Sequence, residues 1–106
     1  MDISDRVKLA SLLSEYGALL TERQRDMLSM YVERDLSLLE VAEEYGVTRQ
    51  AVLDAVKHAA DSLQKYEDLL GTVAMKRSLL AALDDAVKAD PALKDKLAAA
   101  YKVLEG

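Results

Sequence analysis

"SLLEVAEEYGVTRQAVLDAVKHA", Ser37 to Ala59, joins two helical patterns through a glycine. Ser37 and Glu40 have the spacing of a capping box, in which two side chains satisfy backbone donors that a helix start leaves unpaired. Leu38, Val41, Ala42 and Tyr45 then share one face of a short helix, and Gly46 permits a sharp turn. Thr48 is placed to cap the next helix, whose buried positions begin at Val52. A helix-turn-helix needs a small residue where its helices cross, a turn residue tolerant of positive φ, and aliphatic side chains beneath both helices. Ala42, Gly46 and the trio Val41, Val47 and Val52 meet those needs in order.

The flanking segments extend the helical pattern in both directions. Downstream, Val52, Val56, Ala59, Leu63, Tyr66 and Leu70 alternate at four and three places, predicting a recognition helix longer than the motif needs. Upstream, Thr21 and Gln24 form a second capping box, starting a helix with Met27, Leu28, Met30, Tyr31 and Val32 that runs to about Arg34. A first helix is expected from Ser4 to about Leu20, with Ile3, Val7, Ala10, Leu13 and Leu20 on its apolar face. Gly71 and Thr72 interrupt the pattern, and Val73, Leu80, Leu83 and Val87 mark a fifth helix. Asp90 and Pro91 look like an N-cap with proline at the first helical position, ahead of Leu93, Leu97, Ala100 and Leu104.

The fold class is therefore all-α: an N-terminal helix, a helix-turn-helix with a long recognition helix, and a C-terminal helical hairpin. Residues 1–70 are read as the helix-turn-helix domain and residues 71–106 as the hairpin, packed on that domain or on a dimer partner. Composition agrees, with one proline, four glycines and five tyrosines as the only aromatics in 106 residues, 51% of them hydrophobic. The chain is small and its apolar stripes are numerous, so a symmetric dimer is expected.

Chemistry is limited by what is missing. The chain has no cysteine and one histidine, His58, so neither a disulfide nor a metal site is expected, and no cofactor is implied. Glu43 with Glu44 and Asp84 with Asp85 are sequence neighbours, about 100° apart on a helix, and do not form an acid–base pair. No serine has a histidine-based activating network and no glycine-rich phosphate cradle occurs, so the protein is not expected to be an enzyme. The chain opens without a cationic, apolar leader and has no long apolar run; a cytoplasmic protein without membrane insertion is expected.

Charge opposes the motif. The chain carries a net charge of −5 at pH 7, and from Thr21 to Tyr66 six basic side chains face nine acidic ones. With Val52 inward, Gln50, Asp54, Lys57 and Asp61 lie outward, flanked by Arg49, Leu53 and His58. The candidate nucleic-acid residues are Arg23, Arg25, Thr48, Arg49, Gln50 and Lys57: glutamine pairs with adenine, and arginine with guanine or phosphate. Asp54 and Asp61 oppose phosphates, so a monomer is expected to bind DNA weakly and a dimer better. A protein-interaction adaptor or a dimeric helical module without nucleic-acid binding is the alternative.

The string "LTERQRDMLSMYVERDLSLLEVAEEYGVTRQAVLDAVKHAADSLQKYEDLL", Leu20 to Leu70, resembles the fourth region of bacterial sigma factors. Together with the preceding "YGAL" it is similar to the YlxM-like family of small bacterial helix-turn-helix proteins, over roughly residues 12–70. The telling pieces are Leu20-Thr21 with Gln24-Arg25, Ser37-Leu38 with Ala42-Glu43, and Arg49-Gln50-Ala51-Val52. The resemblance implies a cytoplasmic regulatory protein of the signal recognition particle pathway. Its implied partners are DNA, or the particle's RNA or GTPase, and it implies no catalysis.

Overall fold

A computed structural model describes residues 2–105. Among them lie seven helices and no strand: α1 Arg6–Tyr16, α2 Glu22–Val32, α3 Leu38–Tyr45, α4 Arg49–Leu70, α5 Thr72–Ala89, α6 Leu93–Lys96 and α7 Ala98–Glu105. A 3-10 turn, Gly17–Leu19, follows α1. None of these helices is long and apolar enough to cross a membrane. The chain divides into two compact units, Met1–Leu70 and Gly71–Gly106.

In the first unit α4 packs against α1, α2 and α3. Its stripe of Val52, Val56, Ala59, Ala60 and Leu63 is buried, as are Leu9, Leu12, Leu13, Met27, Leu28 and Val41 on the helices packed against it. Full burial of the valines, leucines and methionine among them contributes roughly 1.5–3 kcal/mol each. Near the end of α4 the cover runs out: Tyr66 is half-buried and Leu70 is 62% exposed. Tyr16 still reaches the later part of α4, donating from its hydroxyl to Glu67 Oε1 at 2.6 Å with its ring 6.1 Å from that of Tyr66.

The start and the buried face of α1 differ from the sequence expectation, and the helix ends at Tyr16 rather than near Leu20. Its cap is Asp5, whose carboxylate accepts from the Lys8 amide at 3.0 Å, so the helix begins two residues after Ser4. Val7 is 77% exposed, and the buried row is Leu9, Leu12, Leu13 and Tyr16. Both rows keep helical spacing, so periodicity alone does not choose between them; contact with α2 and α4 does. Arg6 lies over the Tyr31 ring at 4.2 Å and pairs with Asp35 in the link between α2 and α3. Asp35 holds φ 55°, a left-handed conformation that a short polar side chain tolerates.

In the second unit α5 packs with α6 and α7. The helix expected from Pro91 starts at Leu93 and is interrupted at Leu97. Asp90 is the reason for the late start, since its carboxylate accepts from the Ala92 amide at 3.2 Å and its carbonyl from the Leu93 amide at 3.0 Å, closing a turn over residues 90–93. Leu93, Leu97, Ala100 and Leu104 are half-buried.

Candidate nucleic-acid interface

Local chemistry fixes the shape of the motif. Ser37 Oγ accepts from the Glu40 amide and Glu40 Oε1 from the Ser37 amide, both at 3.1 Å, completing the expected box. Gly46 adopts φ 65°, ψ 35°, and the Val47 amide returns to the Ala42 carbonyl at 3.0 Å, closing α3 with a left-handed glycine cap. Thr48 Oγ1 then accepts from the Ala51 amide at 3.1 Å and starts α4. The chain thus turns from one helix into the next without an unanchored step.

The start of α4 is open. Thr48, Arg49, Gln50 and Ala51 are exposed, as are Asp54, Lys57, His58 and Asp61, while Leu53 is half-buried. Gln50, Asp54, Lys57 and Asp61 project to the side away from buried Val52, and Arg49 leaves the helix about 100° from Gln50. Gln50 Nε2 donates to Asp54 Oδ1 at 2.9 Å, linking one of the opposing acids to the candidate base reader.

The remaining candidates do not gather on one surface. Arg23 stacks over the Tyr45 ring at 5.5 Å, beside the turn that leads into α4. The stem of Arg25 instead lies next to Gly17, with Cδ 3.8 Å from where a glycine Cβ would stand. Residues two apart on a helix point in nearly opposite directions, so Arg23 faces the motif and Arg25 faces the end of α1. Arg34 pairs with Glu44 at 3.7 Å.

Sequence reasoning does not place Tyr45 beside the candidate residue Arg23. Its hydroxyl donates to Asp26 Oδ2 at 3.4 Å, and partial burial, followed by the Asp26 charge and hydrogen bond, raises its pKa against the opposing effect of Arg23. The only signal in the sequence is an aromatic residue just before the turn glycine, which reads equally well as core. Ala51 is likewise absent from the sequence-derived candidates; it is exposed and apolar, and suits the methyl group of thymine.

The family model described as "Putative helix-turn-helix protein, YlxM / p13 like" matches residues 3–100. Relatives carry the name UPF0122 protein. That of Desulforamulus reducens is 52% identical over 66 residues, covering 62% of this chain and 56% of its own length, so this chain spans little more than half of that relative. That of Clostridium kluyveri is 43% identical over 77 residues, covering 73% of this chain and 69% of its own. That of Shouchella clausii is 42% identical over 91 residues, covering 83% and 84%. With a family match across nearly its whole length, the chain belongs to the UPF0122 family of YlxM/p13-like helix-turn-helix proteins.

Proposed function

We propose that this protein is a cytoplasmic regulator that lays the first turns of α4 in the major groove of duplex DNA, acting as a homodimer. The observation that carries this reading is the exposed row Thr48, Arg49, Gln50 at the head of α4, held by a capped turn over a buried Val52. Arg49 and Lys57 supply charge from α4, and Arg23 adds charge beside the turn. The B-form major groove admits a helix, whereas the A-form groove of RNA is deep and narrow, which favours DNA.

Acidity favours a dimer over a monomer. Residues 21–66 are net −3, and duplex binders commonly neutralise several phosphates. Two copies double the cations offered, and the second unit, whose helices α5, α6 and α7 bury no residue, provides helices for a second copy to cover. The pathway context, regulation in signal recognition particle targeting, follows the YlxM-like resemblance. The same acidity also supports a second reading, an adaptor that binds the particle's GTPase and no nucleic acid.

A salt series separates the two. Binding to random duplex DNA, to the particle's RNA and to its GTPase is measured side by side for the wild type and for Arg49→Ala/Gln50→Ala. The DNA reading expects duplex affinity that falls steeply with salt and drops about tenfold or more in the double variant. Duplex affinity unchanged in that variant counts against it; a complex with the GTPase and no salt-dependent DNA binding establishes the adaptor instead.

A further inference from the structure

Gln50 and Asp54 lie one helical turn apart on the exposed side of α4, joined by the 2.9 Å bond from Gln50 Nε2 to Asp54 Oδ1. A carboxylate accepts and does not donate, so the amide nitrogen of Gln50, not its oxygen, faces Asp54. One amide proton is thereby used. The side chain keeps one N–H and its carbonyl oxygen, a donor and an acceptor side by side.

That remainder is the complement of one base edge. In the major groove adenine offers N7 as an acceptor and its N6 amino group as a donor. Guanine offers two acceptors, N7 and O6, and a half-used amide has a single proton for them. The Asp54 carboxylate adds acceptors of its own, which repel guanine O6 and tolerate an amino group. Asp54 is exposed, and its negative charge also opposes the phosphates.

We infer that Asp54 is a positioning residue for base selection: by holding the Gln50 amide it makes this point of α4 choose adenine over guanine, while lowering affinity for duplex DNA in general. The inference rests on the duplex-DNA reading above. It assigns Asp54 a part in recognition rather than leaving it as an unfavourable charge on the reading helix.

The test is selection from a randomised duplex pool by the wild type, Asp54→Ala, Asp54→Asn and Gln50→Ala, with affinity for a random duplex measured across salt. Both positions are exposed, and far-UV circular dichroism checks that each variant is folded. The wild type is expected to enrich adenine over guanine by about 5- to 150-fold at a position whose preference vanishes in Gln50→Ala, the equivalent of roughly 1–3 kcal/mol. Asp54→Ala should lose most of that preference and bind random duplex more tightly. Asp54→Asn, whose amide either donates or accepts and so no longer dictates the orientation of Gln50, should lose it too.

An unchanged adenine preference in both Asp54 variants, or guanine enriched at the Gln50-dependent position, overturns the inference and leaves the DNA reading standing. A wild type that shows no salt-dependent retention of any duplex overturns the DNA reading, and the inference falls with it.

Discussion

The two units of the chain share the same helical periodicity and differ in what lies beneath it. Every buried apolar residue described falls between Leu9 and Leu63, while α5, α6 and α7 bury none. The first unit closes three helices around α4; the second, Gly71–Gly106, is below the roughly 40 residues at which a chain usually needs help to build a core. Met75 and Leu79 on α5 stay 60% and 49% exposed. An amphipathic stripe therefore specifies a helix in both units, but an interior in only one.

The largest test of this contrast is a matched pair of truncations. Leu28→Ala empties a fully buried position in α2 and should lower unfolding free energy by about 2–5 kcal/mol. Leu83→Ala in α5, where the side chain is only half-buried, should cost less than about half of that at low protein concentration. Urea denaturation reads both, and equal losses would mean that the second unit has a core of its own.

Glycine offers a sharper version. Gly46 and Gly71 have nearly the same torsion, φ 65° and φ 63°, and at neither does any atom lie within 4 Å of where a β-carbon would stand, so substitution strains the backbone without a clash. Gly46→Ala should cost about 1–2 kcal/mol, read as faster hydrogen exchange in α3 and α4. Gly71→Ala meets the same local strain outside the packed unit, and exchange in α2 and α4 should not change. Protection lost in those helices would show that the units unfold together.

Capping residues give a smaller effect. Ser37→Ala removes one half of the box at α3 and should cost about 1 kcal/mol. Asp90→Ala opens the turn before α6 and should leave the thermal midpoint of the first unit where it is. A midpoint that drops equally in both would contradict the separation.

The smallest effect lies in alkaline titration, because each unit has a phenol with a raised pKa. For Tyr45 the causes are partial burial and then Asp26; for Tyr101 they are desolvation and then Asp84, which accepts its hydroxyl at 2.8 Å. A folded-state value above the ordinary phenol value of about 10 means that the stabilising contribution is complete below that pH and is lost as pH rises through the folded-state value. Asp26→Asn and Asp84→Asn should each lower the corresponding midpoint, read by ultraviolet absorbance. Only the first should reduce the loss of first-unit stability above about pH 10; a like response to Asp84→Asn would again couple the units.

Much of the motif was legible because its determinants are local. Both capping boxes, the left-handed Gly46 and the Thr48 cap join residues within about five positions of one another, distances over which side-chain type and spacing dictate the hydrogen bond. The Gln50–Asp54 bond is equally local, one helical turn in span. The positions of Arg23 and Arg25 required more: both are cations on α2, and only the approach of α3 on one side and the 3-10 turn on the other gives them different neighbours.

From the residues alone follow the all-α class, the helix-turn-helix and the outward row at the head of α4, since a capped helix with a period near 3.6 needs only its own side chains to define its ends and faces. Tertiary structure chose the Leu9, Leu12, Leu13, Tyr16 row over the one containing Val7, placed Tyr45 under Arg23, tied Arg6 to Asp35, and left α5, α6 and α7 without buried residues. Burial and long-range ion pairs depend on which surfaces meet, and residues tens of positions apart carry no local signal of that meeting.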